Sequence, residues 1–121
     1  MNTSLWVVQA VLALTFFAHG TLFLFPPAAL RGIAKQMSFP LGFRRFIYVA
    51  EILAAFGLTL PGLTGLLPRL TPLAAAGLVP IMAGAVVFHI SRREIPPAVI
   101  TTTLLALSAF VAYARWFVIP L

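Results

Sequence analysis

The chain has 121 residues, 62% of them hydrophobic and 8% charged. Soluble domains carry about 25% charged residues, so this composition, with a mean hydropathy of +1.09, excludes an ordinary soluble domain and specifies a multi-pass membrane protein with residues 1–121 as a single transmembrane helical domain. The absence of cysteine excludes disulfides, thiolate metal sites and a cysteine nucleophile. The net charge of +6 comes from basic residues that punctuate apolar runs, a pattern suited to anionic lipid head groups rather than to nucleic acid.

Crossing about 30 Å of hydrocarbon takes roughly 20 helical residues, and four runs come close to that length. The first is about Leu5–Phe25, stopped by Pro26-Pro27. No Lys or Arg precedes it, so it is expected to remain as a span rather than to be cleaved as a signal peptide. In the first loop, Leu30, Ile33 and Met37 recur at helical spacing with Arg31 and Lys35 on another face, which predicts a short helix in the membrane interface. The second span is about Phe43–Leu60, stopped by Pro61-Gly62. The third is about Pro72–Ile90, with Thr71 as N-cap and Pro72 at the first helical position. Pro80 falls in its middle and is expected to bend it and to free the carbonyl of Ala76. The fourth is about Pro97–Ile119. Small residues in the second span (Ala50, Ala54, Ala55, Gly57) and in the third (Ala75, Gly77, Ala83, Gly84) predict the closest helix packing between these two. A homo-oligomer could use the same faces. The fold class is therefore an all-α four-helix membrane bundle.

Orientation follows from Lys and Arg. Arg31, Lys35, Arg44, Arg45, Arg92 and Arg93 lie on the side of the first and third loops, against Arg69 and Arg115 on the other. The six basic residues are expected to contact lipid head groups on the cytoplasmic side, with both termini outside. Trp6 and Trp116 fit an aromatic belt at the outer interface, and Arg115 beside Trp116 is expected to snorkel there.

Glu51 is one of two acidic residues and interrupts the apolar run FIYVAEILAAFGLTL. An ionisable group inside a span costs roughly 2.5–3.5 kcal/mol or more and demands a partner, a neutral state or a role. At 1.5 Å per residue, His19 and Glu51 both lie roughly 8–10 Å below the cytoplasmic boundary, and His89 roughly 3 Å below it. Thr15 stands one turn from His19, and Tyr48 one turn from Glu51. Glu51, His19, His89, Tyr48 and Thr15 are thus the candidate ligand-binding set, and Glu51, His19 and His89 the candidate catalytic groups. The cluster reads either as a polar network pinning the helices or as a ligand or acid–base site open to the cytoplasmic leaflet. No HxxxH or ExxH spacing points to a metal, and no GxSxG, GxGxxG or P-loop is present. The outer half offers only Gln9, Thr59, Ser108, Tyr113 and Arg115, too sparse a set for a transport path.

The stretches EILAAFGLTLPGLTGLLPRLTPLAAAGL and MAGAVVFHISRRE resemble the DoxX-like family of small four-helix bacterial membrane proteins. The matching positions are Glu51, Gly57, Leu58, Pro61, the entry Thr71-Pro72-Leu73-Ala74-Ala75, Gly84-Ala85 and His89, together with the His19-Gly20 step. The resemblance implies a multi-pass protein of the bacterial inner membrane and an association with membrane redox systems, as the protein partner. It leaves a quinone as a candidate lipid-soluble ligand, since quinones bind apolar pockets with one or two hydrogen-bonding side chains. The leading reading is a ligand-binding or accessory subunit. An intramembrane enzyme using Glu51 and a histidine, a small transporter, and a structural or chaperone-like partner are the alternatives.

Overall fold

The computed structural model describes residues 2–29 and 40–121. The interfacial helix expected around Leu30, Ile33 and Met37, with its Arg31 and Lys35, lies outside the described residues. Among the described residues four long helices follow in order: α1 (Asn2–Leu24), α2 (Leu41–Thr64), α3 (Leu70–Ser91) and α4 (Ile95–Tyr113), the last running on into a π-helical turn (Ala114–Val118). All four are long and apolar enough to cross a membrane. They alternate in direction, so the first and third loops share one end, called here the basic end, and the second loop and both described chain ends share the far end.

Each helix turns one stripe inward. On α1 it is Leu5, Gln9, Leu12, Phe16 and Gly20; on α2, Tyr48, Glu51, Ala55 and Leu58; on α3, Thr71, Ala75, Leu78 and Met82. Steps of three and four residues keep a stripe on one helix face. Leu12, Phe16, Leu58, Leu78, Met82 and Val111 meet in the central core. Large apolar side chains cover the outside too: Phe46, Leu53 and Val87 are each more than 60% exposed. Such a surface suits lipid as solvent and not water.

Packing departs from the expectation that α2 and α3 approach most closely. The most extensive contacts join α3 to α4 and α1 to α2; α2–α3 comes next, and α1–α4 closes the ring. The reason is where the small residues point. A side chain added at Gly77 or Gly84 would meet open space, so these positions lie on the outer face of α3. Gly57 is the place where α2 and α3 do come close: an added Cβ would sit 2.8 Å from the Ala74 Cβ.

Two helix boundaries are corrected together. Pro61 does not stop α2, which continues to Thr64 and ends at Gly65 in the left-handed region (φ 73°), whose N–H reaches the Pro61 carbonyl. Thr71 is not an N-cap, because α3 begins at Leu70 after Arg69. Pro61 has no N–H for the carbonyl four residues back, that of Gly57. The Thr71 hydroxyl, fully buried, donates to this carbonyl at 2.8 Å. A donor from α3 thus replaces the one that proline lacks, and α2 passes through the proline. α3 runs unbroken through Pro80, which lies on its outward face.

Candidate functional site

Gly20 sets the geometry at the basic end. A Cβ added there would lie 2.7 Å from the Tyr48 carbonyl oxygen and 2.8 Å from Ile52 Cγ1, so only a glycine lets α1 rest directly on α2 at this level. The neighbouring residue, His19, then brings Nδ1 to 2.8 Å from Glu51 Oε2. One proton lies between them: either the imidazole N–H donates to the carboxylate, or the carboxyl O–H donates to the imidazole. Glu51 is 2% exposed, whereas the His19 side chain is 46% exposed. The pair therefore has a buried anchor and an open edge. The rings of Phe23 and Tyr48 flank the imidazole, with centroids 4.7 and 6.0 Å away. Tyr48 is buried, and its hydroxyl accepts a hydrogen bond from Arg44 one turn earlier.

The geometry thus joins His19, Glu51 and Tyr48. It engages the other two candidates elsewhere. His89 lies 3.1 Å from Glu94 across the third loop, where Arg92 Nε also stands 3.7 Å from the same carboxylate. The backbone arranges this contact: Arg93 takes a positive φ of 57°, and the Glu94 N–H returns to the His89 carbonyl at 2.9 Å. Thr15 turns its hydroxyl onto the Val11 carbonyl of its own helix at 2.7 Å. Among the described residues no three His, Asp or Glu side chains gather as a metal would require.

A carboxylate on Nδ1 fixes the imidazole's orientation and leaves Nε2 to face a ligand, the same logic by which a carboxylate orients catalytic and metal-binding histidines. With the proton on Nδ1, Nε2 accepts a hydrogen bond or a proton; with both nitrogens protonated, it donates. The pair can therefore serve a hydroxyl in one state and a carbonyl in the other.

The far end holds a second buried polar group, and here the expectation for Arg115 is corrected. Its side chain does not snorkel to the interface; Arg115 is 2% exposed. Nε donates to Gln9 Oε1 at 2.7 Å, and Nη1 donates to Asn2 Oδ1 at 2.7 Å and to the Ile119 carbonyl at 3.1 Å. Gln9 in turn donates from Nε2 to the Leu58 carbonyl at 2.7 Å. The cause is helical periodicity: Arg115 follows Ser108 and Val111, both fully buried, at steps of three and four residues along the inward face of α4. The π-helical turn that follows, closed by the Ile119 N–H on the Ala114 carbonyl at 2.7 Å, brings the Ile119 carbonyl to Nη1, while Trp116 stays 40% exposed beneath Arg69. Sequence reasoning missed this because a basic residue beside Trp near a span end normally reaches for the interface. The available signal was Gln9, a polar residue at matching depth on a neighbouring helix.

Two surface grooves lie at the far end. The larger, about 440 Å³, runs between α3 and α4 past Ala76, Ala112 and Trp116. Comparison with curated proteins and with solved structures gave no match. A family model described as the DoxX-like family matches residues 7–111, which take in His19, Glu51, His89 and Glu94 and stop short of Arg115. With most of its length matched and four apolar helices in a bundle, the chain belongs to the DoxX-like family of membrane proteins.

Proposed function

We propose that this DoxX-like protein binds a lipid-soluble ligand with a carbonyl or hydroxyl head, a quinone being the class that fits best, at the His19–Glu51 pair, and that it does so as a binding or accessory subunit of a redox system in the bacterial inner membrane. One observation carries the reading: a carboxylate that is 2% exposed, hydrogen-bonded at 2.8 Å to an imidazole that is 46% exposed. A pair serving only to pin two helices has no need of the exposed edge. The flanking Phe23 and Tyr48 rings, 5.8 Å apart at their centroids, supply aromatic faces against which a planar head group can stack. Quinone and quinol differ by carbonyl against hydroxyl, the two partners the imidazole can serve. The excess of Lys and Arg at the basic end supports a site in the cytoplasmic leaflet.

The test is equilibrium binding of a short-chain quinone to the protein in nanodiscs. His19→Ala and Glu51→Gln should each weaken binding about tenfold, the loss of one hydrogen bond to a charged group, while Thr15→Val should leave it unchanged. Equal affinity in the His19→Ala protein and the parent would sink the reading. An acid–base enzyme remains the second reading, favoured by the same 2.8 Å contact. It separates from the first through Glu51→Gln, which would then abolish turnover of an apolar substrate while leaving its binding intact.

A further inference from the structure

Arg115 is a cation with no acidic side chain beside it. The two acidic side chains, Glu51 and Glu94, are both engaged by histidines at the opposite end of the bundle. Every acceptor recorded for the Arg115 guanidinium is neutral: an amide oxygen of Gln9, an amide oxygen of Asn2 and the Ile119 carbonyl. Nη2 is buried and has no hydrogen-bond partner among the described residues. Burying an ion without a counter-charge costs several kcal/mol even after relaxation, and a wholly structural polar contact at this point needs no charge. It lies seven residues after Ser108 and four after Val111, on the buried stripe of α4, so the helix itself delivers the guanidinium to the interior.

We propose that Arg115 forms a second binding site, independent of His19–Glu51, for a monoanionic oxyanion, a carboxylate or a phosphodiester. The unsatisfied Nη2 and the Nη1 beside it present the guanidinium edge that binds such groups with two parallel hydrogen bonds. Nε is already fixed by Gln9, so the fork is pre-oriented. The cover over the edge consists of Asn2, in the first turn of α1, and Ile119, beyond the π-helical turn. An entering oxyanion takes the positions that Asn2 Oδ1 and the Ile119 carbonyl occupy on Nη1. Trp6, whose ring centroid lies 5.7 Å from the guanidinium carbon, forms the adjacent wall and reports on the site.

Trp6 and Trp116 are the chain's only tryptophans, so the full chain with Trp116→Phe, in maltoside micelles free of phospholipid, leaves Trp6 as the sole reporter. Oleate, phosphatidylglycerol, acetate and inorganic phosphate are titrated separately while Trp6 emission is followed. A saturable change is expected with at least one. A response confined to oleate or phosphatidylglycerol assigns a membrane amphiphile, and one shared by acetate or phosphate assigns a soluble anion; either supports the site. Arg115→Gln should weaken the response about tenfold or more. Arg69→Gln, which removes the same charge from the same end, should not. Asn2→Asp places a carboxylate on Nη1 in cis and should abolish the response while raising the melting temperature, a readout that survives if Arg115→Gln does not fold. The proposal is overturned if no anion gives a saturable change, if Arg69→Gln and Arg115→Gln weaken it equally, or if the Asn2→Asp protein responds like the parent.

Discussion

Unequal burial of the two partners makes the His19–Glu51 contact behave differently depending on which is removed. Glu51 is 2% exposed and His19 46%. Deleting the imidazole strands a carboxylate in a low-dielectric interior, where breaking one side of a buried pair typically costs about 3–5 kcal/mol unless the group takes up a proton. Glu51→Gln leaves an amide oxygen in place, which still accepts from the imidazole N–H, and the imidazole itself can reach the surface. His19→Ala should therefore destabilise the bundle more than Glu51→Gln does. Hydrogen bonds between membrane helices contribute about 0.6 kcal/mol on average and about 1.7 at most. At 2.8 Å with one partner buried, this one belongs at the upper end, and a double-mutant cycle should return a coupling of about 1–2 kcal/mol by reversible unfolding in bicelles. The opposite order, with Glu51→Gln the costlier change, would mean that His19 contributes nothing to the burial of the acid. Thr15, half-buried and bonded to its own helix at Val11, should tolerate Val within about 0.5 kcal/mol.

Among the helices, Pro61 and Thr71 act as one unit split between α2 and α3. Thr71→Val keeps the shape, removes the donor and leaves the Gly57 carbonyl orphaned, at a cost of about 1–3 kcal/mol. Pro61→Ala restores a backbone N–H four residues after Gly57, so the threonine is no longer needed. The two changes together should cost less than Thr71→Val alone, and a thermal melt of the double variant below that of the single would contradict the pairing. Glycines give a second contrast. Gly20→Ala drives a methyl to within 2.7 Å of the Tyr48 backbone oxygen, which α1 can relieve only by lifting off α2; overpacking of this kind costs about 1–3 kcal/mol. It should also loosen the adjacent His19–Glu51 contact and ligand binding with it. Gly84→Ala enters open space and should gain about 0.5–1 kcal/mol from backbone entropy in the helix. Sequence reasoning located all four helices because their length and apolarity are local properties. It misplaced the end of α2 and the start of α3 because the donor that carries α2 through Pro61 is ten residues further on, in another helix. It misjudged the α2–α3 packing for a related reason: counting small residues does not say which face they occupy.

Across the whole bundle, polarity is divided between the ends. Both acids lie at the basic end beside a histidine each, and the buried guanidinium lies at the far end, with the apolar core between them. The first of these groups could be read from the sequence because depth along a straight helix is simple arithmetic, which put His19 level with Glu51 before any contact was known. The pairing of His89 with Glu94 could not, since it depends on the positive φ at Arg93; the inward turn of Arg115 was legible only in the helical spacing it shares with Ser108 and Val111 and in the matching depth of Gln9. The bundle alone does not say which end faces the cytoplasm, but charge does: Arg44, Arg45, Arg92 and Arg93 are described at the basic end, against Arg69 and Arg115 at the other. Lys and Arg resist translocation, so the far end should face outward. The absence of cysteine makes the measurement clean. Leu66→Cys, in the second loop at 71% exposure, should react with a membrane-impermeant maleimide in intact cells. Ser91→Cys, exposed where α3 meets the third loop, should react only after the membrane is opened. The reverse pattern would move His19–Glu51 to the outer leaflet and Arg115 to the inner one, where the ligand of each site would have to be sought.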